Sequence, residues 1–146
     1  AGAFTELLAP HCKRLRVVDV LPAAIARCRR RLTDHEFVDY AVGDIAEVTG
    51  WDETYDLIVI AEVLYYVNCS ASIEAIATRL GSWLRPGGTL IFGSAIDATS
   101  AAWGLPFGAE SAMATLAREL SERARVPCVG ESPNERSLIV RYGRDA

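Results

Sequence analysis

Apolar and polar positions along this 146-residue chain switch repeatedly between a strand period and a helix period. Leu15-Arg16-Val17-Val18-Asp19-Val20 is a β-branched run and reads as a strand. Pro22 suits the first turn of the helix that follows, where Ile25, Cys28 and Leu32 fall on one face. Residues 36 to 42 read as a second strand, ending at Gly43-Asp44-Ile45. Tyr55-Asp56-Leu57-Ile58-Val59-Ile60-Ala61 is almost continuously apolar, the pattern of a strand covered by helices on both faces. Ser70 or Ser72 suits the cap of the next helix, whose Ile73, Ile76, Ala77, Leu80 and Leu84 form its buried stripe. Arg85-Pro86-Gly87-Gly88 stops that helix, because proline cannot continue it and glycine frees the turn. Residues 89 to 93 form the next central strand.

Beyond Gly93 the pattern loosens. Residues 97 to 108, with Trp103, Pro106, Phe107 and two glycines, read as a substrate-side loop. A last helix uses Met113, Leu116, Ala117, Leu120 and Ala124. Residues 126 to 129 and 137 to 142 then form two short strands around Gly-Glu-Ser-Pro-Asn, an antiparallel pair. The predicted fold is α/β: a mostly parallel open sheet, covered on both sides, with a C-terminal antiparallel hairpin. Residues 1 to 146 read as a single domain without repeats, low-complexity tracts or linkers.

Composition narrows the class. At 51% hydrophobic and 23% charged the chain is apolar enough to bury a core and too apolar for disorder. Its longest apolar runs are far shorter than a membrane span and no secretory leader is visible, so the expectation is a cytoplasmic protein. Net charge is −4, which is not the electrostatic footprint of a nucleic-acid binder. The one dense basic cluster, Arg27, Arg29, Arg30 and Arg31, reads as a solvated helix face or, alternatively, a nucleic-acid or phosphate patch. Cys12, Cys28, Cys69 and Cys128 are scattered, without C-x-x-C or histidine at ligand spacing. They read as reduced packing residues, and no metal site is expected. His11 and His35 sit in short polar connections.

The chemistry begins at the first residues. Ala1-Gly2-Ala3-Phe4-Thr5 runs directly into a helical Glu6-Leu7-Leu8, and a strand ending in Asp19 follows. A small-residue turn opening a helix, then a strand ending in a carboxylate, is the logic of a nucleotide-binding α/β sheet. Glycine lets backbone approach a ligand, and the carboxylate accepts from ribose hydroxyls. Asp19 can equally cap the helix that begins at Pro22, and Asp44 can simply turn the chain.

In order and spacing these segments resemble the class I S-adenosylmethionine-dependent methyltransferases, with their Rossmann-like sheet. The resemblance runs through Ala1-Gly2-Ala3-Phe4, Asp19, Gly43-Asp44-Ile45 and Asp56-Leu57-Ile58. It continues through Ala61-Glu62-Val63-Leu64-Tyr65-Tyr66 to Leu84-Arg85-Pro86-Gly87-Gly88. Within that class the chain is similar to the NodS family of rhizobial nodulation N-methyltransferases. Ala9-Pro10-His11-Cys12-Lys13-Arg14-Leu15, Phe92-Gly93-Ser94-Ala95, Asp97-Ala98-Thr99 and Trp103-Gly104 carry that likeness.

The resemblance implies S-adenosyl-L-methionine as cofactor and S-adenosyl-L-homocysteine as product. It places Gly2 at the methionine end, Asp19 on the ribose, Asp44 on the adenine amine, and Val20, Ile45 and Ala61 around the ligand. It implies a free amine of a deacetylated chitooligosaccharide as acceptor, with Glu62 as the acid beside it. Glu62 can instead be a structural carboxylate. Tyr65 and Trp103, with Tyr66 and Phe107, are candidates for stacking on the sugar or for local packing, and Asp97 and Glu110 for hydrogen-bonding it. Another small amine or hydroxyl acceptor, and a noncatalytic fragment, remain open, whereas a nicotinamide dehydrogenase fits the landmarks least. The family pattern also begins several dozen residues earlier. The expectation is therefore that the first, central strand lies outside this chain, leaving the strands ending at Asp19 and Ala61 without their shared neighbour and the 146 residues poorly folded alone.

Overall fold

Proline at position 22 presets the backbone for a first helical turn, and the four residues Ala23-Ala24-Ile25-Ala26 propagate it at little entropic cost. This helix, α2 (Pro22–Arg31), buries Ala24, Ile25 and Cys28 and ends in Arg29, Arg30 and Arg31, whose charge complements the carbonyl end of the dipole. The computed structural model describes residues 2–49, 53–67, 70–132 and 134–145, without the side chains of residues 70 and 71. Ala1, Cys69, the capping side chain of Ser70, and Pro133 lie outside the described residues.

Two compact units divide the chain, residues 1–50 and 51–146. The first contains α1 (Ala3–Leu8), a 3-10 turn (Ala9–His11), β1 (Leu15–Asp19), α2, and β2 (Val38–Val42). β1 and β2 pair in parallel, from Leu15 opposite Val38 to Asp19 opposite Val42. Ala9, Cys28 and Leu32 form its buried cluster, with Leu15, Val17 and Tyr40 packed against it. Arg31 of α2 reaches Glu6 of α1 at 3.0 Å, and Arg29 lies over the Tyr40 ring at 5.0 Å.

The second unit contains β3 (Tyr55–Ala61), a 3-10 turn (Leu64–Tyr66), α3 (Ser70–Trp83), β4 (Leu84–Ala95), α4 (Asp97–Ala102), α5 (Ala109–Leu116), β5 (Ser121–Val129) and β6 (Arg136–Gly143). Its sheet runs β3-β4-β6-β5. β3 and β4 are parallel, and β6 is antiparallel to both β4 and β5. Leu90 and Phe92 alternate inward, and their register partners Tyr142 and Val140 on β6 are buried with them. α3, with Ile73, Ile76, Ala77 and Leu80 buried, contacts α5 and β4. Among the described residues β1 and β3 belong to different sheets, and each is hydrogen-bonded to a strand along one edge.

Several expectations need correction. β3 is not covered on both faces: Ile60 is buried, but Leu57 is 42% exposed and Ala61 is exposed. The side chains alternate, so Ile58 and Ile60 share the face of Leu90 and Phe92, while Leu57 and Ala61 point the other way. α3 ends at Trp83, so Leu84, expected on its buried stripe, instead opens β4, and residues 85–88 form an excursion within that strand. Tyr55 is opposite Leu84 and Leu57 is already opposite Thr89. Gly87 turns that excursion at φ +74°, a conformation that a side chain would strain. The expected loop at 97–108 opens as helix α4, because Asp97 starts it and Ala98, Ala101 and Ala102 favour it. The last helix is shorter than its apolar spacing implied. Ala124 lies in β5, where the ladder to β6 captures the chain from Ser121 onward.

Candidate functional site

At the carboxyl ends of β1 and β2, two aspartates fold the backbone back in the same way. The Asp19 Oδ1 accepts from Leu21 N–H at 2.9 Å, and the Asp44 Oδ1 accepts from Ala46 N–H at 2.8 Å. Each is an Asx turn, in which a short carboxylate satisfies an amide two residues on. The Gly43 N–H donates to the Asp19 carbonyl at 3.1 Å, tying the two turns together. Val20, Leu21 and Val42 are exposed beside them, and Ile45 is half-buried. This strand end therefore offers carboxylate oxygens next to uncovered aliphatic surface, an acceptor set suited to a nucleoside: hydroxyls and an amine that donate, and a flat ring to cover.

Gly2 has a different occupation. It caps α1 at φ +84°, and a Cβ there would sit 2.9 Å from the Cys28 Cα and 3.1 Å from its Sγ. Only glycine lets this turn lie against α2. The absence of a side chain that suggested a place beside a ligand also serves this helix contact.

The second unit carries an acid and aromatic rings at the end of β3. Ala61 closes that strand, opposite Gly93. Glu62 follows with φ +56°, the left-handed region that non-glycine residues rarely occupy. Its N–H donates to the Gly93 carbonyl at 2.8 Å, and its Oε2 accepts from the Tyr65 hydroxyl at 2.7 Å. Burial, and then the bond to Glu62, push the Tyr65 phenol well above its ordinary range, so it stays a donor. The Tyr65 ring is 6% exposed and touches two others: Tyr66 at 4.6 Å between centroids and Trp103 edge-on at 6.2 Å. Tyr66 and Trp103 are 65% and 49% exposed. The aromatic surface open to a ligand therefore belongs to Tyr66 and Trp103, with Tyr65 behind them.

Asp97 and Glu110 do not join this group as free carboxylates. The Asp97 oxygens accept from the Ser111 N–H at 3.1 Å and the Ser111 hydroxyl at 2.6 Å, while the Asp97 N–H donates to Glu110 at 2.6 Å. Burial raises the Asp97 carboxyl, but hydrogen bonds, from Ser111 first and then from Glu110 and Gly108, together leave its pKa below the ordinary value. Through these bonds Asp97 clamps α4 to α5.

Two features escaped sequence reasoning. Val42 stands beside Asp19 only because of strand register. The left-handed Glu62 has no sequence signal, although the three-residue spacing from Glu62 to Tyr65 is visible and fits one tight turn. Among the described residues no group of three or more His, Cys, Asp or Glu side chains is placed to hold a metal ion, and no helix is long and apolar enough to cross a membrane.

The family model for Nodulation protein S (NodS) matches residues 1–146. Nodulation protein S of Sinorhizobium fredii is 46% identical over 142 residues, covering 97% of this chain and 65% of that protein. The Rhizobium tropici protein is likewise 46% identical over 142 residues, of which the match takes in 59% of its length. The chain thus spans about two thirds or less of these curated relatives. Among solved structures, the N-methyltransferase NodS of Bradyrhizobium japonicum, in complex with S-adenosyl-L-homocysteine, superposes with a TM-score of 0.94 at 43% identity. That match covers 99% of this chain and 74% of the other.

Proposed function

The chain belongs to the NodS family, with the Rossmann-like class I methyltransferase fold, and from that premise we propose an S-adenosylmethionine-dependent N-methyltransferase acting on the free amine of a deacetylated chitooligosaccharide. The observation that carries the reading is the set at the end of β3: a carboxylate held in a strained turn, with exposed aromatic faces beside it.

The cofactor supplies an electrophilic methyl group on a sulfonium. This chain's residues fit its nucleoside half. The Asp19 Oδ2, not used in the Asx turn, would accept from the ribose hydroxyls. Asp44 would accept from the adenine amine, and Val20, Val42 and Ile45 would cover the ring. Ala61 adds no bulk where β3 ends. Gly2 contributes the tight turn that opens α1, and its place at the methionine end rests on family likeness.

The acceptor amine must be neutral to attack, and an α-amino-type group titrates near about 8. Glu62, with its Oε1 uncommitted among the described residues, would orient the nitrogen and take the proton it releases. Tyr66 and Trp103 would lie on the apolar faces of the sugar rings, as exposed aromatics with a polar neighbour do. Placement supplies most of the acceleration in such an in-line transfer.

Purified protein incubated with cofactor and a deacetylated chitooligosaccharide should add one methyl group by mass spectrometry, and a fully acetylated oligomer should add none. Equal labelling of the two oligomers overturns the amine assignment.

A further inference from the structure

We propose that Tyr65 is the positioning residue for Glu62, fixing through its hydroxyl which carboxylate oxygen faces the acceptor. The inference rests on the proposed role of Glu62 and assigns Tyr65 a part other than sugar contact.

Three observations carry it. Glu62 is exposed, and Tyr65 is the one residue that bonds its carboxylate among the described residues. An exposed glutamate has several free torsions, and this bond is the one that restrains them among the described residues. Its backbone is restrained: the left-handed φ and the Gly93 bond aim the side chain toward its own following turn. Leu64–Tyr66 then winds as a 3-10 turn, which brings the residue three positions on over Glu62. Tyr65 itself is buried and edge-on to Trp103. Its ring thereby links the acid to an exposed aromatic face, so both parts of the site share one fixed reference.

The charges around the pair are few. β4 and α5 pack on this turn. Arg85, the charged residue of β4, is paired with Asp56, and Glu110, that of α5, accepts from the Asp97 backbone. Asp97 of α4 is bonded to Ser111. Tyr66 is the remaining titratable neighbour of Tyr65.

Tyr65→Phe keeps the ring contacts and removes the hydroxyl that holds Glu62. It should lower kcat about tenfold while leaving KM for the deacetylated oligomer unchanged. Glu62→Asp, which keeps the charge but shortens the reach to Tyr65, should lose a similar share of kcat, and Tyr65→Phe added to it should cost little more, because the bond is already broken. Glu62→Gln should be crippled. If Tyr65→Phe keeps the wild-type kcat, or its loss simply adds to that of Glu62→Asp, while Glu62→Gln is crippled, the positioning role is wrong and the function of Glu62 stands. If Glu62→Gln behaves as wild type, the proposed role of Glu62 fails instead.

Discussion

Asp19 bonds its own backbone through one carboxylate oxygen, and the proposed ligand role falls to the other. Oδ1 holds the Leu21 N–H and so shapes the entry to α2, which leaves Oδ2 for a ligand. The two demands can be separated. Asp19→Ala should weaken S-adenosyl-L-homocysteine by about 1.5–3 kcal/mol, the range for hydrogen bonds to a charged group. It should also cost about 1 kcal/mol of stability through the lost turn. Asp19→Asn keeps an acceptor for Leu21 and loses the charge, so it should weaken binding with little loss of stability. Calorimetry and denaturant unfolding check the pair, and unchanged affinity in both variants would remove Asp19 from the ligand site. The Asp44 turn has the same form, which explains why neither residue could be classed as cap or ligand contact from composition: the geometry allows both.

Helix α3 shows how an element can be placed from sequence to within a residue of its end and closed by something else. Pro86 and the glycines forbid its continuation, as their chemistry requires. Its last carbonyls, however, are satisfied by Arg144, whose Nη1 donates to Gly81 at 2.9 Å, Ser82 at 3.4 Å and Leu84 at 2.6 Å. The Gly87 N–H also bonds the Arg144 carbonyl at 2.9 Å. A guanidinium from beyond β6 thus serves as the C-terminal cap of a helix some sixty residues earlier. Arg144→Ala should destabilise the second unit by about 1–2 kcal/mol, whereas Arg144→Lys, with a single point charge, should recover part of it. Urea unfolding followed by tryptophan fluorescence reads this, since Trp83 and Trp103 both lie in the second unit. No change in midpoint would show that water caps α3 equally well.

The two units differ in how much holds each of them. β4 has strand neighbours on both edges, β3 and β6, and its Leu90 and Phe92 are fully buried. In the first unit β1 and β2 form a two-strand pair over a cluster of Ala9, Cys28 and Leu32. Two-stranded sheets with small cores are marginal, because little apolar area offsets the conformational entropy of ordering them. Amides of β1 and β2 should therefore exchange with solvent faster than those of β4 and β6, in a separate and earlier opening. Hydrogen exchange by mass spectrometry measures this directly. Equal protection of the two sheets would mean that the units open together.

The positions of β1, α2, β3, α3 and the C-terminal hairpin were legible in the residues alone, because each has a strong period and chemical stops at its ends. The acids that close strands were legible too, since a carboxylate at a strand end stands out against an apolar run. Long-range pairing decided the rest. The β5–β6 ladder ended the last helix early, register set Val42 beside Asp19, and Ser111 claimed both oxygens of Asp97. Adjacent tyrosines look alike in sequence, yet the turn at Leu64–Tyr66 buries one and exposes the other. Local spacing carries periodicity and turn chemistry, whereas the partner of a polar atom is chosen by whichever distant group folding brings within hydrogen-bond reach.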